Sequence, residues 1–132
     1  MTAESGAGVL VDTSVWVAHF RHGLPALGAL LMQDAVWTHP YVLLELACGT
    51  PPAPREATLA WLASLRMAPV VEPDALLAFI DEHRLFGQGC GMVDVALLAS
   101  ALRVPGCRLW TLDRRLAQLA EASGLQWSPP AH

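Results

Sequence analysis

Four carboxylates stand where their neighbours make a charge hard to explain by solubility alone. Asp12 ends the apolar run Val9-Leu10-Val11 and precedes Thr13-Ser14, and Asp113 ends Leu109-Trp110-Thr111-Leu112 in the same way. Glu45 interrupts Val42-Leu43-Leu44-Glu45-Leu46-Ala47, and Asp94 stands in Gly91-Met92-Val93-Asp94-Val95-Ala96, both in segments whose other residues read as core. A charge in such company is costly unless paired. Each acid also has a plainer reading: Asp12 or Asp113 as a helix cap, Asp94 as a first-turn acid favoured by the helix dipole, Glu45 as part of a solvated stripe. Should the four converge, two of them about 4 Å apart repel by roughly 4 kcal/mol at an effective dielectric near 20. Such a cluster must take up protons or a cation. All eight basic residues are arginine, so lysine is not available as the counter-charge. An all-oxygen donor set without Cys or His selects a hard ion, Mg²⁺ or Mn²⁺, whose chemistry is phosphoryl transfer or hydrolysis.

The elements that must position these acids alternate between strand and helix. Val9 to Val11 is a buried strand delivering Asp12 to its C-terminal tip, with Thr13 or Ser14 capping the helix that runs to Phe20. Helices follow at Leu24–Met32, with Pro25 in the first turn, and at Tyr41–Cys48, opened by Pro40 and closed by Gly49. Val36-Trp37-Thr38 lies between them as a second strand. The loop Thr50–Pro54 leads to a helix over Arg55–Leu65. Val70-Val71 is expected as a third strand, then a helix from Pro73 to about Leu85, a loop over Phe86–Gly91, and a helix over Met92–Arg103. A strand over Cys107–Leu112, a helix over Asp113–Ala122 and an edge strand at Leu125–Trp127 complete the pattern. Met1 to Ala7 and Ser128 to His132 are expected to be flexible. The order predicts an α/β fold: a single three-layer α/β/α domain over residues 1–132, with a mostly parallel central sheet. In such sheets ligands gather outside the carboxyl ends of the strands, where Asp12 and Asp113 fall.

Composition narrows the functional classes. The apolar fraction is 54 % without glycine and the mean hydropathy is +0.40, above the roughly 45–50 % typical with glycine included. Either the core is unusually tight or apolar surface is covered by a second copy or a partner. The longest apolar runs fall short of the roughly 20 residues of a membrane span. The first eight residues carry Glu4 and no base, unlike a signal peptide. Cys48, Cys90 and Cys107 are widely spaced and form no CxxC, which fits a reduced, cytoplasmic protein. A net charge of −4 gives no global basic field.

The segments Val11-Asp12-Thr13-Ser14-Val15-Trp16, Glu45-Leu46-Ala47-Cys48-Gly49, Gly89 to Ala101 around Asp94, and Leu109-Trp110-Thr111-Leu112-Asp113-Arg114-Arg115-Leu116 occur in this order. Together the chain resembles a PIN domain, and within that family the VapC-type toxin ribonucleases of bacterial toxin–antitoxin pairs, from Val9 to about Gly124. The resemblance implies an endoribonuclease dependent on Mg²⁺ or Mn²⁺, a homodimer, and a cognate VapB-like antitoxin whose C-terminal segment covers the active-site groove. It assigns Asp12 and Asp94 as the main metal ligands. It places Glu45 and Asp113 where they hold the ion's waters or orient and deprotonate the attacking one. Ser14 and Thr111 match positions where the family keeps a small hydroxyl near the metal. Arg114 and Arg115 follow Asp113 directly and Arg21 lies beyond the first short helix; the three are candidate RNA phosphate contacts, and solvated helix surface explains them equally well. The absence of a basic stripe favours a structured RNA loop read by shape.

Other conspicuous residues take structural readings. His19 and His22 have no third ligand, Trp16, Trp61 and Trp110 sit in core-like patterns, and Gly87, Gly89 and Gly91 lack the strand and GK[ST] of a phosphate cradle. Two other functions compete with a nuclease. A haloacid-dehalogenase-like phosphatase or receiver domain also ends a strand in Asp; the phosphatases need a second Asp where Ser14 stands, and both classes need a Lys. A non-catalytic RNA- or partner-binding module of the same fold would not need all four acids.

Overall fold

The computed structural model describes residues 8–130. The expected flexibility of Met1 to Ala7, and of Ala131 and His132, lies outside the described residues; Ser128 to Pro130 are exposed and without regular structure. The elements are β1 (Val9–Val11), α1 (Thr13–His22), α2 (Pro25–Met32), β2 (Val36–Thr38), α3 (Pro40–Cys48), α4 (Arg55–Ala63), β3 (Arg66–Met67), α5 (Pro73–Glu82), α6 (Met92–Leu102), β4 (Arg108–Trp110) and α7 (Arg114–Ala122). The four strands form one parallel sheet in the order β3-β2-β1-β4. β1 is central and buried at all three residues, as a strand covered on both faces must be. Helices α1, α3 and α4 pack together, and α5, α6 and α7 form a second set that meets β4, giving the α/β/α arrangement.

Register places the chemistry. Val11 pairs with Trp110, so the residues that leave the two strands, Asp12 and Thr111, emerge side by side. The amide of Asp12 donates to the carbonyl of Trp110 at 3.0 Å, carrying the pairing one residue past β1. α6 is buried at every residue from Val95 to Ala101 and is the central helix of its layer, which explains its nearly unbroken apolar sequence. Asp94 lies in its first turn, just before that buried stretch. The core joins Leu10, Trp16, Leu27, Leu97, Leu98, Leu109 and Leu116, all fully or almost fully buried.

Three sequence expectations are corrected. The third strand is Arg66–Met67, not Val70-Val71: β2 pairs Trp37 with Arg66 and Thr38 with Met67. Pro69 lacks the N–H a ladder needs, and beyond it Val71 anchors a loop in the core while Val70 is exposed. The edge strand at Leu125–Trp127 is reduced to one parallel bridge, Leu109 with Gln126, held by two backbone hydrogen bonds to Leu109. Trp61 is not core but 45 % exposed, set edge-on against the buried Trp16.

Candidate active site

Asp12 is the N-cap residue of α1, yet its side chain does not cap. Its Oδ2 accepts two hydroxyls instead, from Ser14 at 2.8 Å and from Thr111 at 2.7 Å. Neither Thr13 nor Ser14 caps the helix as expected; Ser14 Oγ accepts the amide of Leu112 at 3.0 Å, and Thr111 Oγ1 accepts the amide of Asp113 at 3.0 Å. Two strand tips are thus laced together around one carboxylate oxygen. Asp12 is 7 % exposed, and Oδ1 has no hydrogen-bond partner among the described residues. The small hydroxyls are needed because a buried carboxylate must find donors, and each donor here also satisfies a backbone amide.

Glu45 is exposed on α3, not embedded in core as its apolar neighbours suggested; Leu44 beside it is exposed as well. Its Oε1 accepts the hydroxyl of Thr13 at 2.6 Å, which ties α3 to the start of α1. Asp113 does cap α7, accepting the amide of Leu116 at 3.0 Å, so its plainer reading holds alongside any chemical one. Asp94 is half-buried, and its carboxyl is held above the ordinary carboxylate value, first by desolvation and then by the charges of Asp113, Asp12 and Glu45; a hydrogen bond from the Gly91 backbone opposes the rise. The other three acids therefore lie within electrostatic reach of Asp94. None has a basic partner: among the described residues the one ion pair is Arg66 with Asp34.

The arginines take three different positions. Arg21 lines a cavity of about 410 Å³ with Glu45, Val17, Phe20 and the loop from Gly49 to Pro52. The guanidinium of Arg115 lies over Gly89, where a Cβ would come within 3.2 Å of Nη1, and the backbone there has φ +77°, which favours glycine. Arg114 is exposed at the start of α7. His19 accepts the amide of Leu24 at 3.0 Å and closes the turn after α1, and His22 is exposed.

The PIN domain family matches residues 9–122 of this chain, a span that includes all four acids. The chain belongs to the PIN-domain family. It is also 44 % identical over 117 residues to a protein named Ribonuclease VapC32, from two strains of Mycobacterium tuberculosis, covering 89 % of this chain and 94 % of that one. The PIN-domain sheet accordingly brings Asp12, Ser14, Thr111 and Asp113 into one hydrogen-bonded unit, with Asp94 and Glu45 facing it electrostatically.

The donor set can be tested against a divalent ion. Among the described residues no three His, Cys, Asp or Glu side chains stand close enough to ligate one ion jointly. Mg²⁺ retains several waters and needs only one or two carboxylates directly. An acid cluster without bases, holding one carboxyl reluctant to ionise and one with a free oxygen, fits such a hydrated ion. Thr13, expected only as a helix cap, instead holds Glu45, and neither His39 nor Ser100 was expected to be more than core. A polar residue before a helix-opening proline was a usable signal for His39 as a cap; nothing marks a serine inside an apolar helix.

Proposed function

We propose that this PIN-domain chain is an endoribonuclease of the VapC kind, a toxin that hydrolyses RNA phosphodiesters with Mg²⁺ or Mn²⁺ at the edge formed by Asp12, Glu45, Asp94 and Asp113. The observation that carries the reading is Asp12, buried at the tip of β1 with Oδ2 held by the hydroxyls of Ser14 and Thr111, Oδ1 left free and no basic partner among the described residues. The kinship with a protein named as a ribonuclease supports the reaction class. Asp12, whose Oδ1 Ser14 and Thr111 leave free, and Asp94 would hold the cation directly. Glu45 and Asp113 act through water, orienting the attacking molecule and accepting its proton. The cation, when bound, offsets the negative charge of the acids and of the attacked phosphate and makes water more acidic.

Arg21, Arg114 and Arg115 hold RNA phosphates on either side of the cut. The exposed apolar side chains, Met32, Leu77, Phe86, Met92 and Leu112 among them, are covered by a second copy of the chain and by a VapB-like antitoxin. No helix among the described residues is long and apolar enough to cross a membrane, and the protein acts in the cytoplasm, where its RNA is. The deciding experiment is cleavage of total cellular RNA by the wild type, with Asp12→Asn and Asp94→Asn as controls. Wild-type cleavage needs Mg²⁺ or Mn²⁺ and stops with chelator, and each variant loses about 100-fold or more with its circular dichroism unchanged. Equal cleavage by the variants overturns the assignment.

A further inference from the structure

His39 is wholly buried at the end of β2, as is Ser100 in the third turn of α6. The imidazole Nδ1 accepts the amide of Tyr41 at 2.9 Å and caps α3. Nε2 lies 3.1 Å from Ser100 Oγ. A ring nitrogen that accepts from an amide carries no proton, so the neutral ring must carry it on Nε2 and donate it to Ser100. Burial favours that neutral ring by lowering its affinity for a second proton.

The bond joins the two halves of the acidic edge. Glu45 lies six residues after His39, and Asp94 six residues before Ser100. α3 packs mainly on α1 and α4, whereas α6 packs on α5, α7 and β4. Among the described residues His39 to Ser100 is the one side-chain hydrogen bond that joins α3, through its N-cap, to α6. Six helical residues span about 9 Å of stiff backbone, so a shift at the bond is carried to both acids.

We infer that His39 and Ser100 are positioning residues, a buried imidazole–hydroxyl clasp that fixes the helix bearing Glu45 against the helix bearing Asp94. The inference rests on the proposed cation site, because what the clasp sets is the spacing of acids that a cation must bridge.

The test measures Mn²⁺ binding by titration calorimetry in the wild type, His39→Asn, Ser100→Ala and the double variant, with thermal melting in parallel. Asn keeps an acceptor for the Tyr41 amide but does not reach Ser100; Ala removes the hydroxyl without adding volume. Each single variant is expected to weaken Mn²⁺ binding about tenfold. The double variant is then no weaker than either single, because all three lack the same bond. Melting temperatures that fall while Mn²⁺ affinity stays at the wild-type value overturn the clasp, as does a double variant whose loss is the product of the singles. Nitrogen NMR of the wild-type histidines adds a readout free of metal and activity: the proton of His39 on Nε2 supports the clasp, and on Nδ1 overturns it. Failure of the wild type to cut RNA would overturn the proposed activity and leave the Mn²⁺ cycle to decide the clasp.

Discussion

Asp94 is the residue at which the fold and the chemistry pull in opposite directions. Folding removes part of its solvent and brings three other carboxylates toward it, so its pKa rises above the ordinary 3.8. A raised carboxylate pKa means that the folded chain binds the proton more tightly than the unfolded one. The ionised group therefore costs stability at every pH above the folded value, and the cost vanishes as pH falls through that value to 3.8 and below. Asp94→Asn is expected to raise the melting temperature of the metal-free protein at pH 7 and to give no gain near pH 3.5. Added Mn²⁺ raises the wild-type melting temperature, since a ligand of the folded state stabilises it by mass action, and leaves that of the variant unchanged. A scanning-fluorimetry series over pH, with and without Mn²⁺, decides both halves; a destabilised Asp94→Asn would show that the carboxylate is structural. At this scale the sequence was informative where a residue violated its surroundings, as at Asp12 and Asp94. It misled at Glu45, because an apolar helix in a layered fold still has an outer face and Leu44 and Glu45 lie on it.

Asp113, at the start of α7, is both a cap and a proposed site residue. Asp113 accepts the amide of Leu116 and lies near enough to Asp94 to raise its pKa. Asn is as good an N-cap as Asp, whereas Ala removes a cap at a typical cost of about 1 kcal/mol. Asp113→Asn is therefore expected to melt within a degree or two of the wild type while RNA cleavage falls about 100-fold. Asp113→Ala loses the same activity and also melts lower. Equal activity in Asp113→Asn and wild type would reduce Asp113 to a cap. The elements themselves were legible from periodicity, proline and glycine: every helix was expected where it lies, to within a turn at its ends. β3 was not legible, because a two-residue edge strand with both side chains exposed carries no hydrophobic pattern, and the β-branched pair beyond Pro69 was the stronger lure. The clasp between His39 and Ser100 was invisible for a different reason: a pairing of residues 61 positions apart is set by packing, not by local sequence.

The whole molecule carries a net charge of −4 and must still hold a polyanion. Long-range attraction therefore works against binding, and the contribution of a few placed arginines becomes measurable. Arg115 is held over Gly89, four residues after Asp12's neighbour on the strand edge, Thr111, and beside the loop that leads to Asp94; Arg21 shares a cavity wall with Glu45. Counterion release predicts a logarithmic salt slope of about −0.7 per phosphate neutralised on a single strand, so three arginines give about −2. Fluorescence anisotropy of single-stranded RNA on the Asp12→Asn protein, expected not to cleave, measures that slope directly from low to high salt. Arg115→Gln and Arg21→Gln are each expected to reduce its magnitude by about 0.7, and the pair by about twice that. A surface arginine that only solvates its helix leaves the slope where it was, because no counterion is released at it. An unchanged slope in Arg115→Gln would thus remove that residue from the RNA footprint even if affinity at one salt concentration fell, since loss of its packing over Gly89 weakens binding without altering how binding responds to salt.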